Sequence, residues 1–158
     1  MDSRSLILFL ATGLGVGNVP VAPGTFGSLL AIPLFLAVPL FWTISPAAVL
    51  ALALVVAAAV AIAHLADPLL GEHDSGRIVV DEIAGMLVAL AGQPRGLRAV
   101  ALAFVVFRVF DVLKPWPAGA IDRHWSGGRG VVLDDVASGV YANLVVRALL
   151  AFVPGLAA

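Results

Sequence analysis

The chain of 158 residues has no cysteine, a single lysine and a single tyrosine, and Asp, Glu, Lys and Arg together make up only 12% of it. Without cysteine there is no disulfide framework, no thiolate metal site and no cysteine-nucleophile phosphatase. Soluble domains carry about 25% charged residues, so half that complement cannot cover a water-facing surface. Nine basic residues against ten acidic ones leave a net charge of -1, with neither the basic patch of a nucleic-acid binder nor an acidic disordered tail. No nucleic-acid partner is expected. Apolar residues are in excess, at 61% and a mean hydropathy of +1.08, where globular chains have about 45–50%. The solvent these numbers call for is lipid, and the length suits one compact membrane-embedded domain over residues 1–158.

A straight spanning helix needs about 20 apolar residues. Residues 46–66 and 133–153 meet that requirement. Residues 29–42 contain Pro33 and Pro39, tolerated in membranes where neighbours satisfy the freed carbonyls, and residues 97–113 lie at the short limit. Residues 78–91 are too short to cross and open with two carboxylates, which predicts a partial or buried helix. The expected architecture is an all-α polytopic bundle of about four spans plus that short helix. The apolar stretch behind Arg4 runs into a Gly/Pro-rich segment rather than a small-residue cleavage site, so it is read as part of the fold. With the amino terminus cytoplasmic, the connectors 13–28, 67–77 and 114–130 share that side and carry Arg77, Lys114, Arg123 and Arg129, as the positive-inside rule requires. Arg95 and Arg98 oppose that count mildly.

Ionisable groups inside apolar segments cost a few kcal/mol each and default to functional candidates. Asp81 and Glu82 open one helix, Arg108 and Asp111 close another ahead of Lys114, and Asp134 and Asp135 open the last. The three-residue steps between Arg108, Asp111 and Lys114 set that trio along one side of a helix end. Crowded carboxylates repel one another, and a hard cation such as Mg²⁺ removes the penalty. Acidic N-terminal capping is the alternative for either pair taken singly; both pairs together with Asp111 favour a metal site. A second feature is the run Pro20 to Ser28, whose Gly24 and Gly27 precede an apolar helix. It outlines a phosphate cradle of backbone amides, or else a plain turn with Ser28 as N-cap. Lys114 reads as a phosphate ligand or as a snorkelling interfacial lysine. His64, His73 and His124 lack metal-site spacing, and Trp42, Trp116 and Trp125 read as interface anchors.

Four stretches taken together resemble the phosphatidylglycerophosphatase A family: GVGNVPVAPGTFGSLLAIP at 15–33, IVVDEIAG at 78–85, FRVFDVLKPWP at 107–117 and IDRHWSGGRGVVLDDVASGVYA at 121–142. The resemblance implies an all-α, Mg²⁺-dependent enzyme of the bacterial inner membrane that hydrolyses phosphatidylglycerophosphate to phosphatidylglycerol and inorganic phosphate, with the phospholipid in the bilayer as its partner. The site is expected at the cytoplasmic face of a multi-pass protein.

Assigned to that reaction, Asp81, Glu82, Asp134 and Asp135 hold Mg²⁺, as one ion or two. Asp111 is a further ligand or the base that orients water. Lys114 and Arg108 bind phosphate, with Arg123 beside them, and the segment Gly24, Thr25, Gly27 and Ser28 completes the oxyanion contacts, Thr25 through its hydroxyl. Direct attack by water needs no covalent intermediate; an aspartyl-phosphate route is the alternative. A small transporter or ion pathway could also use clustered carboxylates, but it calls for acids near the midplane of spans rather than at their ends. No motif here fixes the oligomeric state.

Overall fold

The computed structural model describes residues 2–71, 75–153 and 155. Among them are seven α-helices and no strand: α1 (Ser3–Ala11), α2 (Pro23–Ala37), α3 (Pro46–Leu70), α4 (Val80–Leu90), α5 (Leu97–Leu113), α6 (Ala118–His124) and α7 (Gly128–Phe152). The all-α expectation holds.

Helix α3 starts where Ser45 accepts a hydrogen bond from the Ala48 amide and Pro46 supplies a preset φ. It ends at Gly71 with φ 74°, the left-handed stop that glycine adopts without strain. Its 25 residues, like those of α7, reach about 37 Å at 1.5 Å per residue, enough to cross a bilayer core. The mean hydropathies are 2.7 for α3 and 1.3 for α7. Leu50 and Leu54 on α3 and Leu144 on α7 stand exposed, an outer surface suited to lipid rather than water.

These are the two helices that are long and apolar enough to cross a membrane among the described residues. Helix α5 keeps the expected bounds of 97–113, but its 17 residues reach only about 26 Å. Helix α2 differs from the expectation of 29–42. It begins at Pro23, after Ala22 in the left-handed region (φ 49°), and stops at Val38, with residues 39–42 forming a separate 3₁₀ turn. Length therefore accounts for two spans where about four were expected.

Helix α4, 11 residues long, is packed against α2, α3, α5 and α7. Its apolar side, with Met86, Leu87 and Leu90, joins Phe35, Phe107 and Val146 in the main core. At its carboxyl end the free carbonyls are taken up by α7: the Asn143 amide donates to Val88, Ala89 and Ala91, and Arg147 donates to Ala91 and Gly92. A helix end away from water needs such partners. Arg95 lies 3.8 Å over the Trp42 ring at this same end. The opposite end, where α4 begins, is left for polar chemistry.

Candidate active site

The crossing of α4 and α7 depends on two glycines. A Cβ on Gly139 would collide with the Gly85 carbonyl oxygen, and one on Gly85 would stand 2.7 Å from the Asp135 carbonyl oxygen. Small residues let helix backbones approach this closely. Asp81 lies four residues before Gly85 and Asp135 four before Gly139, so each carboxylate projects one turn from the contact point on the side of its glycine.

Asp81, Glu82 and Asp135 consequently converge, each offering an oxygen within 4.8 Å of the others. Asp81 and Asp135 are buried, at 7% and 4% exposure. Glu82 Oε2 and Asp135 Oδ2 are buried without a hydrogen-bond partner. Two negative charges at that separation repel by about 3 kcal/mol at an effective dielectric near 20. Burial, followed by the neighbouring Glu82 charge, pushes the Asp81 carboxyl well above its ordinary value. Burial also raises Glu82, helped by Asp111 and opposed by Asp81's hydrogen bond and by Arg108. Three close carboxylates with unpartnered oxygens make a donor set suited to a hard divalent cation.

The remaining acids are placed differently. Asp111, at the end of α5, is bound at 2.6 Å by Arg108. The same Arg108 nitrogen donates at 3.3 Å to the Ser28 hydroxyl, which donates to the Gly24 carbonyl at 2.8 Å. Asp134 accepts a 2.6 Å hydrogen bond from Lys114, which also binds Asp122. Lys114 is in the left-handed region, φ 43°, turning its side chain from the end of α5 toward α6 and α7. Burial disfavours its charge, but hydrogen bonds to Asp122 and Asp134 outweigh burial and hold the ammonium above its ordinary value.

Three local features differ from the expectation. Helix α7 begins at Gly128, not at 133, so Asp134 and Asp135 occupy its second turn and cap nothing. Ser28 is likewise no N-cap, since α2 starts at Pro23 and Ser28 lies within it. The amide cradle over 24–28 narrows to its first member: the Thr25 and Phe26 amides already donate to Ala22 and those of Gly27 and Ser28 lie inside the helix, which leaves the Gly24 amide in the first turn. The glycines act by clearance instead. A Cβ on Gly24 would collide with Glu82 Oε1, and one on Gly27 would stand 2.7 Å from the Val79 Cβ. The segment thus seats α2 against the acids of α4.

A cleft of about 410 Å³ joins these groups, lined by Asp81, Glu82, Asp111, Lys114, Asp134 and Asp135, with Arg123 and Asp122 at its rim. The structure brings together every acid singled out in the sequence, and Asp135 and Glu82 meet around one point. Thr25 lies outside this cleft, beside Arg108 on an apolar groove. Sequence reasoning missed Asp122, which faces Lys114 across a Pro-containing turn, and Ser75, whose buried hydroxyl lines the cleft without a partner. His64 is exposed and apart from the cluster, and His124 pairs with the Ala120 carbonyl; His73 lies outside the described residues.

Comparison with known proteins gives a consistent picture. The family model described as phosphatidylglycerophosphatase A matches residues 9–150. The phosphatidylglycerophosphatase A of Escherichia coli K12 is 41% identical over 132 residues, covering 83% of this chain and 76% of that one. The Haemophilus influenzae protein of the same name is 36% identical over 144 residues, covering 90% and 88%. A Bacteroides thetaiotaomicron protein provisionally named a phosphatidylinositol-3-phosphatase is 36% identical over 149 residues, covering 89% and 91%. No solved structure matches the chain.

Proposed function

Because the chain belongs to the phosphatidylglycerophosphatase A family and is a phosphatase, we propose that its cleft hydrolyses phosphatidylglycerophosphate to phosphatidylglycerol and inorganic phosphate with the help of Mg²⁺. The observation that carries this reading is the convergence of Asp81, Glu82 and Asp135 with two carboxylate oxygens left unpartnered. Those three residues would hold the cation. Bound there, it supplies neutralising charge to the phosphoryl oxygens and the leaving oxygen. Asp134 stands beside that trio, with Lys114 on its Oδ2 and its Oδ1 buried without a partner, and would serve as a further ligand or as the anchor of Lys114.

The chain's own groups divide the remaining work. Lys114, held beside Asp134 and Asp122, and Arg123 at the rim of the cleft bind the phosphate monoester. Asp111, its orientation fixed by Arg108, accepts a hydrogen bond from the attacking water and takes its proton as the new P–O bond forms. The bond from phosphorus to the glycerol oxygen breaks, that oxygen takes a proton from solvent as phosphatidylglycerol departs, and Asp111 returns the proton it took to solvent. Ser28 fixes Arg108 from the other side, so the base is positioned by two elements, α2 and α5.

A membrane setting supports a lipid substrate. We read α3 and α7 as spans, with α2 and α5 embedded beside them, in a multi-pass protein of the bacterial inner membrane. Arg4, Arg77, Lys114, Arg123 and Arg129 lie toward the site end, against Arg95, Arg98 and Arg147 toward the other. That bias favours a cytoplasmic site. The acids sit near helix ends, as a headgroup reaction needs and a midplane ion route does not. The test is phosphate release from phosphatidylglycerophosphate by purified protein in detergent, with Mg²⁺ and with a chelator. Turnover that depends on the metal supports the reading; turnover indifferent to chelation removes the cation from it.

A further inference from the structure

On the far side of the Arg108–Asp111 pair, α5 and the start of α2 border an open groove of about 550 Å³. Phe104, Val105, Val109, Val112 and Leu113 line it along one face of α5. Arg108 and Thr25 are its polar members. Val112 and Leu113 are 72% and 71% exposed, and Val105 56%, so the apolar floor is uncovered by the rest of the chain.

We infer that this groove is the acyl-chain subsite for the phospholipid, with the headgroup passing Arg108 into the acid cleft; the inference rests on the lipid-phosphatase reading of that cleft. Two features select the occupant. The floor from Phe104 to Leu113 extends about 14 Å along the helix and, Arg108 apart, offers a partner hydrocarbon. Beside it stands the Arg108 guanidinium, 2.6 Å from Asp111, and Asp111 lines the acid cleft. Groove and cleft therefore share one wall.

Asp111 and Ser28 engage one guanidinium nitrogen of Arg108, and its other nitrogens suit an occupant that is apolar along its length and anionic at this point. A phosphorylated lipid has that charge pattern. Phe104 and Val105 lie farthest along α5 from Lys114, on the side away from the cleft, which places the chain's tail there and its glycerol end near Thr25 and Arg108.

The absence of cysteine makes a site-specific block possible. Val105→Cys and, as a control on the exposed face of α3, Leu54→Cys each carry one thiol. Each is treated with a bulky methanethiosulfonate and compared with its own untreated form. Phosphate release is followed from long-chain phosphatidylglycerophosphate and from its deacylated, water-soluble counterpart. The expected result is a fall of at least tenfold in kcat/KM for the long-chain compound relative to the chain-free one after labelling at 105, restored by reduction, with no such change at 54. Equal loss on both compounds, or no loss, overturns the subsite. A change in oligomeric size on labelling at 105 with the substrate ratio unmoved would assign the groove to a second copy and also overturn it. Unsubstituted protein that releases phosphate from neither compound would instead defeat the phosphatase reading, and the subsite with it.

Discussion

Gly139 on α7 meets Gly85 on α4 so closely that a methyl group on either would strike the opposing backbone. Asp135 and Asp81 each lie one turn from that contact. The spacing of the two backbones thus sets the spacing of the carboxylates. Gly139→Ala is expected to cost stability by overpacking, about 1–3 kcal/mol. It should cost activity more heavily, because a displacement of about 1 Å at reacting groups can lose about a hundredfold. Thermal unfolding in detergent and phosphate release, measured on the same preparation, check this. Ser138→Ala, which removes a buried hydroxyl without a partner, should leave stability unchanged or raised.

Mutual repulsion among buried acids predicts an inverse relation between metal-free stability and activity. Asp81→Asn and Asp135→Asn remove one charge from the cluster while keeping shape. In chelator, both variants should unfold at a higher temperature than the unsubstituted protein, although turnover with Mg²⁺ falls by a hundredfold or more. Unfolding midpoints lower than the parent's in chelator would show that these carboxylates stabilise the fold as ordinary structural groups.

Lys114 gives the pH dependence. Hydrogen bonds to Asp122 and Asp134 outweigh burial and raise its folded value above 10.5. A raised lysine contributes stability that is fully present below the unfolded value and is lost as pH climbs through the folded one. The tether is therefore intact throughout about pH 7.5 to 9 and supplies no limb to the rate profile there. Lys114→Gln should lower kcat/KM by a similar factor at every pH in that range, as followed by the pH–rate profile. A basic limb below about pH 9 that vanishes in Lys114→Gln would contradict this.

The far end of α4 provides a structural contrast. Asn143 donates to three carbonyls at the end of α4, of which Val88 also accepts the Ala91 amide and Ala91 also accepts Arg147. Asn143→Leu takes the side-chain partner from Ala89 and releases Arg147 from its Asn143 oxygen, and should cost about 1–3 kcal/mol. Specific activity below the unfolding transition should be nearly unchanged, since the site lies at the other end of the helix. Unfolding curves together with rates at low temperature separate the two effects.

The acids were legible in the sequence because a charge in an apolar run has few structural reasons to exist. Asp81, Glu82, Asp111 and Asp135 meet at one cleft as that argument expects. What escaped was decided by contacts between distant segments. Gly127, Gly128 and Gly130 read as connector, yet α7 starts at Gly128, where a Cβ would collide with the His64 backbone. That glycine is a helix crossing, and nothing in its own neighbourhood says so. The segment from Gly24 to Ser28 read as an anion loop for the same reason: its small residues clear space for Glu82 and Val79 rather than for a ligand. The split between Asp135 in the acid cluster and Asp134 on Lys114 follows from the helical turn of about 100° between neighbours. That rotation was foreseeable, but Asp122 as the second partner of Lys114 was not.

The central claim, that Asp81, Glu82 and Asp135 share one divalent cation, is tested most directly by titrating Mn²⁺, as a spectroscopic substitute for Mg²⁺, into purified protein and counting bound ions by electron paramagnetic resonance. Saturable binding displaced by Mg²⁺ is expected, weakened at least tenfold in both Asp81→Asn and Asp135→Asn and little changed in Asn143→Leu. Undiminished affinity in both acidic-site variants would contradict it.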